Sequence, residues 1–273
     1  MPAWLDPLRA ALDGSPHRVD FFFRDDDVGW GDERLWSLLD LFGERGLPID
    51  LAVIPAAVSG ATAAALSSRM RSDGGVGLHQ HGLAHADHEV EERKCEFGSS
   101  RGRAAQRADI ARGRGLIHDF FGAAADPIFT PPWNRCTADT GLCLAELGFR
   151  ALSREWRATP LAIAGLVELP VRVDWFARRK RQRITKGELA RLLVAAVEAR
   201  EPVGIMFHHA DMDAEERAGA AELLDLIAEH PGARPARMRS LVFGRSGAQS
   251  SSSSSFGPSS SPSLPVTSKF SSS

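Results

Sequence analysis

Histidines are concentrated in one short segment of the chain. The sequence has 9 histidines, and His79, His81, His85 and His88 all fall within VGLHQHGLAHADH, residues 76–88. Neutral imidazole is a good ligand for zinc and similar metals, and a carboxylate can complete the set. His81 and His85 are four residues apart, so one helical turn or a tight loop can direct both at one point. For His79 and His88, a strand-face position and an exposed loop position are the simpler interpretations.

Three aspartates, Asp25, Asp26 and Asp27, directly follow three phenylalanines in FFFRDDDVGW. Adjacent carboxylates beside a buried strand repel one another unless a cation or hydrogen-bond donors compensate. A turn or a helix N-cap accounts for one or two of them, whereas a bound divalent metal accounts for the whole cluster. Together with His81 and His85, the cluster favours a site of two histidines and one aspartate.

A metal site of that kind is catalytic rather than structural, because structural zinc sites are usually closed by four protein ligands. The open positions can hold a water molecule whose pKa the metal lowers. A second aspartate could take the proton of that water, and a histidine from another strand could protonate a leaving group. Two later segments end in suitable residues: VGIMFHHAD in His208 and His209, and VELPVRVDW in Asp174 and Trp175.

Each polar cluster follows a short apolar run, and such runs alternate with segments of helical periodicity. Strands are expected at RVDFFF, IDLAVIP, VGLHQH, PIFTPP, RALS, GLVELPV and VGIMFHH. Repeated alternation of strand and helix predicts a mostly parallel sheet, either open and doubly wound or closed into a distorted barrel. In both cases reactive side chains gather at the carboxyl ends of the strands.

Composition restricts the range of partners. The 33 Lys and Arg balance 35 Asp and Glu, a net charge of -2, so no charge surplus indicates nucleic acid or an anionic membrane surface. The three cysteines lack the paired spacing of a disulfide framework, which indicates a reducing compartment. Acidic residues interrupt the N-terminal segment where a signal peptide needs an apolar core, and no run approaches a membrane span of about 20 apolar residues. We predict a cytoplasmic protein.

The domain organisation is expected to be simple. Residues 245–273 are rich in Ser and Pro and are predicted to be a disordered tail, because they cannot bury enough apolar surface to offset the ordering entropy. Residues 17–244 are predicted to form one domain, preceded by an N-terminal segment of residues 1–16.

In chain order, the segments RDDDVG, HGLAH, TPPW, DW and IMFHH resemble the five motifs of the polysaccharide deacetylase superfamily, which includes carbohydrate esterase family four and is also called the NodB homology domain. The resemblance spans Asp25 to His209. It implies a single-domain distorted (β/α) barrel of about seven strands. It also implies a divalent metal, with zinc expected and cobalt or manganese as alternatives, and the hydrolytic removal of acetyl groups from N-acetylated or O-acetylated sugars.

The same resemblance implies roles for individual residues. Asp26 would be the general base, and Asp27, His81 and His85 would be the metal ligands. His208 would be the general acid, with His209 the less favoured choice.

Four further residues are implied around these groups. Asp174 would orient the acid histidine. Pro132 and Trp133 would line the acetyl or sugar pocket, where a nearby backbone N–H helps to hold the oxyanion, and Trp175 would lie there too.

The chain departs from the motifs at three points. The family's third motif begins with an arginine that pairs with the base, and here Thr130 stands in that position. Arg24, two residues before Asp26 and therefore on the same strand face, or Arg135 could replace it. Val28 stands where the first motif has a glycine. The missing export signal makes an intracellular glycan, a sugar conjugate or a small amide as plausible a substrate as a polymer.

Two alternatives remain open at this stage. His79-Gln80-His81 resembles the His-x-His of the amidohydrolase superfamily, which would bind the metal through His79 and His81. The absence of the third-motif arginine would also fit a non-catalytic protein that binds glycans. Glu96 is expected on a solvated loop, and the oligomeric state is not indicated.

Overall fold

The computed structural model describes residues 2–179 and 182–244, so the predicted tail and part of the basic run 178–181 lie outside the described residues. Within these ranges the chain alternates between strands and helices. The strands are β1 (Val19–Val28), β2 (Ile49–Val53), β3 (Val76–His81), β4 (Ile128–Thr130), β5 (Ala151–Leu152), β6 (Val167–Glu168), β7 (Val171–Asp174), β8 (Arg178–Arg179), β9 (Gln182–Arg183), β10 (Val203–Phe207) and β11 (Ala233–Pro235).

Helices connect most of these strands. They are α1 (Asp6–Asp13), α2 (Leu35–Gly43), α3 (Gly60–Asp73), α4 (Arg103–Phe121), α5 (Ala138–Glu146), α6 (Lys186–Glu198), α7 (Ala214–Glu229) and α8 (Met238–Phe243). Short 3₁₀ turns follow two strands of the sheet, at Pro132–Asn134 and His209–Asp211.

The strands form one parallel sheet in the order β6-β5-β4-β3-β2-β1-β10-β7, with β11 added beside the start of β1. This sheet curls into an open barrel, and the predicted distorted (β/α) barrel is confirmed. Two short strands, β6 and β7, stand where the sequence predicted one, GLVELPV. Pro170 separates them, because proline has no N–H to donate to a strand ladder. The hairpin β8–β9 lies apart from the sheet.

Alternation along β1 divides its side chains between two environments. Phe21 and Phe23 face outward into the principal core between the sheet and the helices. Phe22 faces inward and packs in a second core with Met206 and with Met238 of α8. Arg24 and Asp26 share the inward face with Phe22, so the strand carries a buried charged pair into the barrel interior.

The N-terminal segment contributes to the same core. Leu5, Leu8 and Leu12, within and just before α1, are buried in the principal core, so part of segment 1–16 packs with the barrel that we predicted to begin at residue 17. Within the described ranges, no helix is long and apolar enough to cross a membrane. The cytoplasmic location stays a prediction.

Candidate active site

Three predicted metal ligands converge at the carboxyl ends of the strands. Asp27 lies near the end of β1, His81 ends β3, and His85 lies in the loop that follows. The Oδ1 atom of Asp27 is 3.1 Å from Nε2 of His81 and 3.2 Å from Nε2 of His85. One ligand atom from each residue lies within 4.8 Å of the other two, a spacing that one metal ion could bridge.

The backbone around this cluster is held in uncommon conformations. Asp27 and His85 have φ values of 68° and 55°, in the left-handed region that non-glycine residues seldom adopt. Gly82, with φ 56°, makes the turn after β3, and a Cβ there would overlap the side chains of Glu96 and Pro132. Such strain persists only where the surrounding structure enforces it, and it tends to cluster at functional sites.

The hydrogen bond on the far side of His81 tests whether the donor set suits a metal. Nδ1 of His81 lies 3.0 Å from the carbonyl oxygen of Thr130, which can only accept, so Nδ1 carries the proton. In the neutral ring Nε2 would therefore present a lone pair to the carboxylate of Asp27, so either a proton on Nε2 or a bound cation must lie between them. Two imidazoles and a carboxylate, one ring fixed by a carbonyl, suit a divalent metal such as zinc.

Electrostatics at His81 point the same way. Burial alone lowers the pKa of His81, but the carboxylates of Asp27 and Asp26 outweigh it and raise the pKa. Burial likewise opposes ionisation of Asp27, yet hydrogen bonds from His81 and His85 hold its pKa below the usual range. The cluster therefore favours positive charge at its centre.

Asp26, the predicted base, forms a buried ion pair with Arg24. Nε and Nη2 of Arg24 donate to the two carboxylate oxygens of Asp26 at 2.7 and 2.8 Å, and Arg24 is fully buried. Its guanidinium also donates to Oγ of Ser153 at 2.8 Å and to Oδ1 of Asn134 at 2.7 Å. Burial raises the pKa of Asp26, but Arg24, His81 and His208 together outweigh burial, and the net pKa is lowered.

The two candidate arginines are thus distinguished by their contacts. Arg24 forms the pair with Asp26, whereas Arg135 donates from Nη1 to the carbonyl oxygen of Lys94 at 2.8 Å. The side chain of Arg24 is completely covered, so it supports Asp26 from inside the barrel and does not line an open pocket for the substrate.

The two adjacent histidines after β10 have different surroundings. Nε2 of His208 lies 3.9 Å from Oδ2 of Asp27, and its side chain is 25% exposed. His209 is fully buried, with Nδ1 2.6 Å from Oδ2 of Asp25 and Nε2 2.9 Å from the carbonyl oxygen of Trp30. Burial lowers the pKa of His209, but Asp25 outweighs it and raises the pKa to about 9. His209 is committed to an internal ion pair, and His208 faces the metal ligands.

Aromatic rings surround His85 at the mouth of the site. The ring of Trp133 lies 4.3 Å from the imidazole of His85, and that of Trp30 lies 4.8 Å from it. Pro132 is buried beside Gly82. Trp133 and Asn134 both have positive φ, and this turn presents the Asn134 amide to Arg24.

Comparisons with known proteins address the fold. No family model matches the sequence, and no curated protein matches it. A solved structure described as a putative polysaccharide deacetylase from Mycobacterium smegmatis is 16% identical, covers 92% of this chain and 96% of that chain, and has a TM-score of 0.63. A family 4 acetyl xylan esterase from Clostridium thermocellum, in complex with a cobalt ion, is 14% identical. The match covers 84% of this chain and 92% of that chain, with a TM-score of 0.56.

A third solved structure, a CE4 family pseudoenzyme from Bacillus anthracis, is 11% identical, with 84% of this chain and 66% of that chain covered and a TM-score of 0.51. The chain has the polysaccharide deacetylase fold. At these identities the similarity establishes the fold alone, and the fold implied by the five motifs is thereby confirmed.

Of the two residues of the predicted Asp–Trp pair, Trp175 lies away from the site and Asp174 lies near it without the predicted hydrogen bond to His208. Trp175 is buried in the principal core, its ring 5.4 Å from that of Phe207, so it does not line the pocket. Trp175 directly follows Asp174, the last residue of β7, and its side chain lies on the outer face of the sheet with the principal core. Asp174 accepts a hydrogen bond from the backbone N–H of Phe176 at 2.8 Å. Between the described residues Asp174 and His208 there is no direct hydrogen bond, although the two influence each other electrostatically.

His79 does not belong to the ligand cluster. It is fully buried, its Nε2 lies 2.8 Å from Oγ1 of Thr130, and burial lowers its pKa to about 3. The pair of ligands expected for an amidohydrolase, His79 with His81, is therefore not formed. Thr130 fixes both rings, since its hydroxyl contacts His79 and its carbonyl contacts His81.

Sequence reasoning missed Glu96. The expectation of a solvated loop is wrong, because Glu96 is buried. Its Oε1 accepts hydrogen bonds from the backbone N–H groups of Ala84 at 2.8 Å and Leu83 at 3.3 Å. Glu96 thereby fixes the loop that carries His85. Its position between Cys95 and Phe97, two residue types that favour burial, was the available signal.

Proposed function

We propose that the chain is a metal-dependent deacetylase that hydrolyses an acetyl group from an N-acetylated or O-acetylated sugar or a related amide. The observation that carries this proposal is that two groups of side chains lie next to each other at the carboxyl ends of the strands. One is the ligand set of Asp27, His81 and His85, and the other is the Arg24-held carboxylate of Asp26 beside it. Three ligands leave room for a reacting group, which distinguishes a catalytic from a structural site.

The metal would be held by Asp27, His81 and His85, with zinc expected and cobalt or manganese as alternatives. A divalent cation in such a site polarises the acetyl carbonyl and lowers the pKa of a water molecule. The cobalt ion named for the Clostridium thermocellum esterase supports a similar choice of metals.

Asp26 would act as the general base. Its two oxygens are fixed by the Arg24 guanidinium, and each retains a further lone pair with which to accept a proton. A fixed carboxylate can accept the proton of an attacking water without paying the cost of reorientation during the reaction. Arg24 is buried and planar and is itself held by Ser153 and Asn134, so Asp26 has little freedom to turn away.

His208 would act as the general acid. Its Nε2 lies 3.9 Å from Oδ2 of Asp27, and its ring is partly exposed, so it can reach both a group bound at the metal ligands and solvent. Protonation of the departing nitrogen or oxygen at Nε2 would complete the hydrolysis. Asp174 would act on His208 through space, since its carboxylate hydrogen-bonds to Phe176 instead.

Trp133 and Trp30 would shape the entrance for a sugar. Trp30 is 43% exposed, unusual for so large an apolar side chain, and both indoles contact His85. Aromatic faces with a polar edge suit the mixed apolar and hydroxylated surface of a pyranose ring.

Acetate release is the direct test. Protein stripped of metal and reloaded with zinc, cobalt or manganese is assayed against N-acetylglucosamine, its oligomers, acetylated xylose and small acetamides. Asp27→Ala and His81→Ala should lose bound metal and turnover together. Asp26→Asn should keep its metal and lose turnover by about 10²–10⁴-fold, the usual contribution of a general base.

Two results would reject the proposal. Near-full turnover in Asp26→Asn would remove the assigned base. Tight sugar binding by fully metal-loaded wild type, with no acetate released from any substrate, would instead favour a non-catalytic glycan-binding protein.

A further inference from the structure

No hydrogen bond joins the imidazole of His208, the proposed general acid, to any group within residues 2–179 and 182–244. Its side chain is 25% exposed, and its Nε2 lies 3.9 Å from Oδ2 of Asp27, too far for a hydrogen bond. The carboxylate of Asp174, which the motif resemblance assigned to orient this histidine, accepts from the backbone N–H of Phe176 instead. The direction of the His208 ring therefore depends on packing rather than on a hydrogen bond.

Phe176 supplies this packing. The centroid of its ring lies 5.9 Å from that of the His208 imidazole, and the two planes meet at 71°, a T-shaped contact. Aromatic pairs favour such a geometry at centroid separations of about 4.5–7 Å. Phe176 is buried in the principal core, and its N–H donates to Oδ1 of Asp174 at 2.8 Å. Asp174 thus fixes the backbone that carries the Phe176 ring.

Arg183 covers the Phe176 ring and limits its rotation. The guanidinium carbon of Arg183 lies 4.2 Å from the centroid of that ring, a close cation–π contact. Arg183 also forms an ion pair with Glu216 of α7. The second carboxylate oxygen of Glu216 accepts from the backbone N–H of Asp213 at 2.9 Å. A continuous row of contacts therefore joins the start of α7 to the His208 ring.

The hairpin β8–β9 brings Arg183 back to Phe176. Its two strands pair at Arg178 and Arg183, and beyond this pair the N–H of Ile184 donates to the carbonyl oxygen of Ala177 at 3.2 Å. The hairpin lies apart from the sheet, so its backbone pairing serves to return the guanidinium to an aromatic ring a few residues earlier in the chain.

We propose that Phe176 is a positioning residue for the general acid and that Arg183 holds Phe176 against the His208 ring. The inference rests on the proposed deacetylase function and adds the residues that direct the proton of His208 at the leaving group. Rotation of the His208 side chain to another rotamer would carry Nε2 away from the ligand cluster, and a misplacement of about 1 Å can cost about 10²-fold in rate. The aromatic contact opposes that rotation without a hydrogen bond to either ring nitrogen, so the ring keeps its capacity to carry a proton.

The first test uses two classes of acetyl substrate that differ in the basicity of the leaving group. 4-Nitrophenolate departs from 4-nitrophenyl acetate without a proton, whereas the alkoxide of acetylated xylose and the amine of N-acetylglucosamine must be protonated. Phe176→Leu should lower kcat for the two sugars by about 10-fold with little change in KM, and should lower turnover of 4-nitrophenyl acetate by about twofold at most. Phe176→Tyr, which keeps the ring, should recover most of the loss.

Arg183→Gln tests the second part of the proposal at a partly exposed residue, where the substitution leaves the core intact. It should lower kcat for the same sugars by about 2–5-fold, the range of an exposed cation–π contact, and Arg183→Lys should restore part of the rate. Arg178→Gln, at the exposed position opposite Arg183 in the hairpin, is the matched control and should change neither kcat nor KM.

Two kinetic results would overturn the positioning role and leave the deacetylase intact. Equal losses on the sugars and on 4-nitrophenyl acetate in Phe176→Leu would mean that the ring only supports the fold. A higher KM with kcat at the wild-type value would mean that the ring contacts the substrate.

Crystal structures of wild type and Phe176→Leu give a readout that does not depend on turnover. The His208 ring should hold one orientation in wild type and turn away or adopt several in the variant, while Asp26 and Asp27 keep their places. A His208 ring that keeps its orientation in Phe176→Leu overturns the inference whether or not acetate is released. Release of acetate from none of the substrates by metal-loaded wild type would instead reject the proposed function.

Discussion

Arg24 and Asp26 lie two residues apart on one strand, and the guanidinium of Arg24 donates to both carboxylate oxygens of Asp26 inside the barrel. The third motif of the deacetylase fold, where an arginine was expected, carries Thr130 in this chain. Residues two apart on a strand share one face, so Arg24 can pair with Asp26 from the same strand. This pair takes the place of the one expected between Asp26 and an arginine of the third motif. It also frees Thr130 to hold His79 through its hydroxyl, while its carbonyl fixes His81.

Arg24→Lys should lower kcat while metal content stays at the wild-type level. Lysine keeps the positive charge but cannot donate through a planar fork, so Asp26 loses its fixed orientation. A misplacement of this kind is expected to cost about 10²-fold in turnover. Acetate-release kinetics and elemental analysis of bound metal measure the two quantities.

Ser153→Ala provides the control for Arg24→Lys. It removes one acceptor of the Arg24 guanidinium and leaves both contacts with Asp26, so its effect on kcat should be several-fold smaller. Wild-type turnover in Arg24→Lys would show that the paired hydrogen bonds from the Arg24 guanidinium do not position Asp26.

Glu96→Gln should weaken metal binding although Glu96 is not a ligand. The substitution keeps one oxygen to accept from Ala84 and Leu83, but it replaces the other oxygen, which also accepts from Leu83 at 3.3 Å, with an uncharged NH₂ that would face the same N–H group. The loop that carries His85 would loosen, and loss of such outer contacts typically costs about 10–100-fold in metal affinity. Chelator competition measures the affinity. Glu92→Gln, on the exposed part of the same loop, should leave it unchanged, and equal affinities in both variants would exclude this role for Glu96.

The Asp25–His209 pair should make stability depend on pH. The pKa of His209 is raised from 6.5 to about 9 in the folded chain, where Asp25 outweighs the effect of burial. Its contribution to the free energy of unfolding is therefore fully present below about pH 6.5 and is lost as the pH rises through about 9. His209→Gln should lower the free energy of unfolding by roughly 2–3 kcal/mol near pH 6, and the difference from wild type should shrink by pH 10.

Urea unfolding at pH 6, 8 and 10 measures this dependence. His17→Gln, at an exposed position, is the control and should differ little from wild type at any pH. A deficit in His209→Gln that stays constant over this range would contradict a charged His209.

Gly77→Ala should destabilise the barrel at the start of β3. A Cβ on Gly77 would overlap the guanidinium of Arg237, which donates to Asp50 at 2.7 Å and to Asp126 at 2.9 Å. Overpacking of this kind costs about 1–3 kcal/mol in the free energy of unfolding. Gly115→Ala in α4 has open space and should instead gain up to about 1 kcal/mol. Denaturant titrations of both variants check the prediction, and an unaffected Gly77→Ala would mean that Arg237 can move aside.

Several features of the fold followed from local pattern. The apolar runs and helical segments indicated a parallel sheet, since each strand needs a crossover helix before the next. The ends of those strands predicted that the aspartate cluster lies near His81 and His85, and the resemblance selected Asp27 from that cluster. Pro170 was not read as a break within GLVELPV, so one strand was expected where β6 and β7 stand.

The site could be predicted only in part, because neighbouring residues with the same chemistry differ in environment. His208 and His209 are adjacent imidazoles, and the sequence favoured one of them only by resemblance. The side chain of His209 enters the core toward Asp25, while that of His208 stays at the site. The Asp–Trp pair was assigned as a unit, yet Trp175 is buried against Phe207.

The sequence by itself determined which residues could bind a metal and that they stand at strand ends, because residue type and local periodicity are properties of the chain. It also determined that Arg24 and Asp26 share a face, since alternation along a strand is local. Only the tertiary structure decided which arginine reaches Asp26, which histidine faces the ligands, and that Glu96 supports the loop of His85. Those outcomes depend on distances between residues that are far apart in the chain, and such distances are fixed only when the barrel packs.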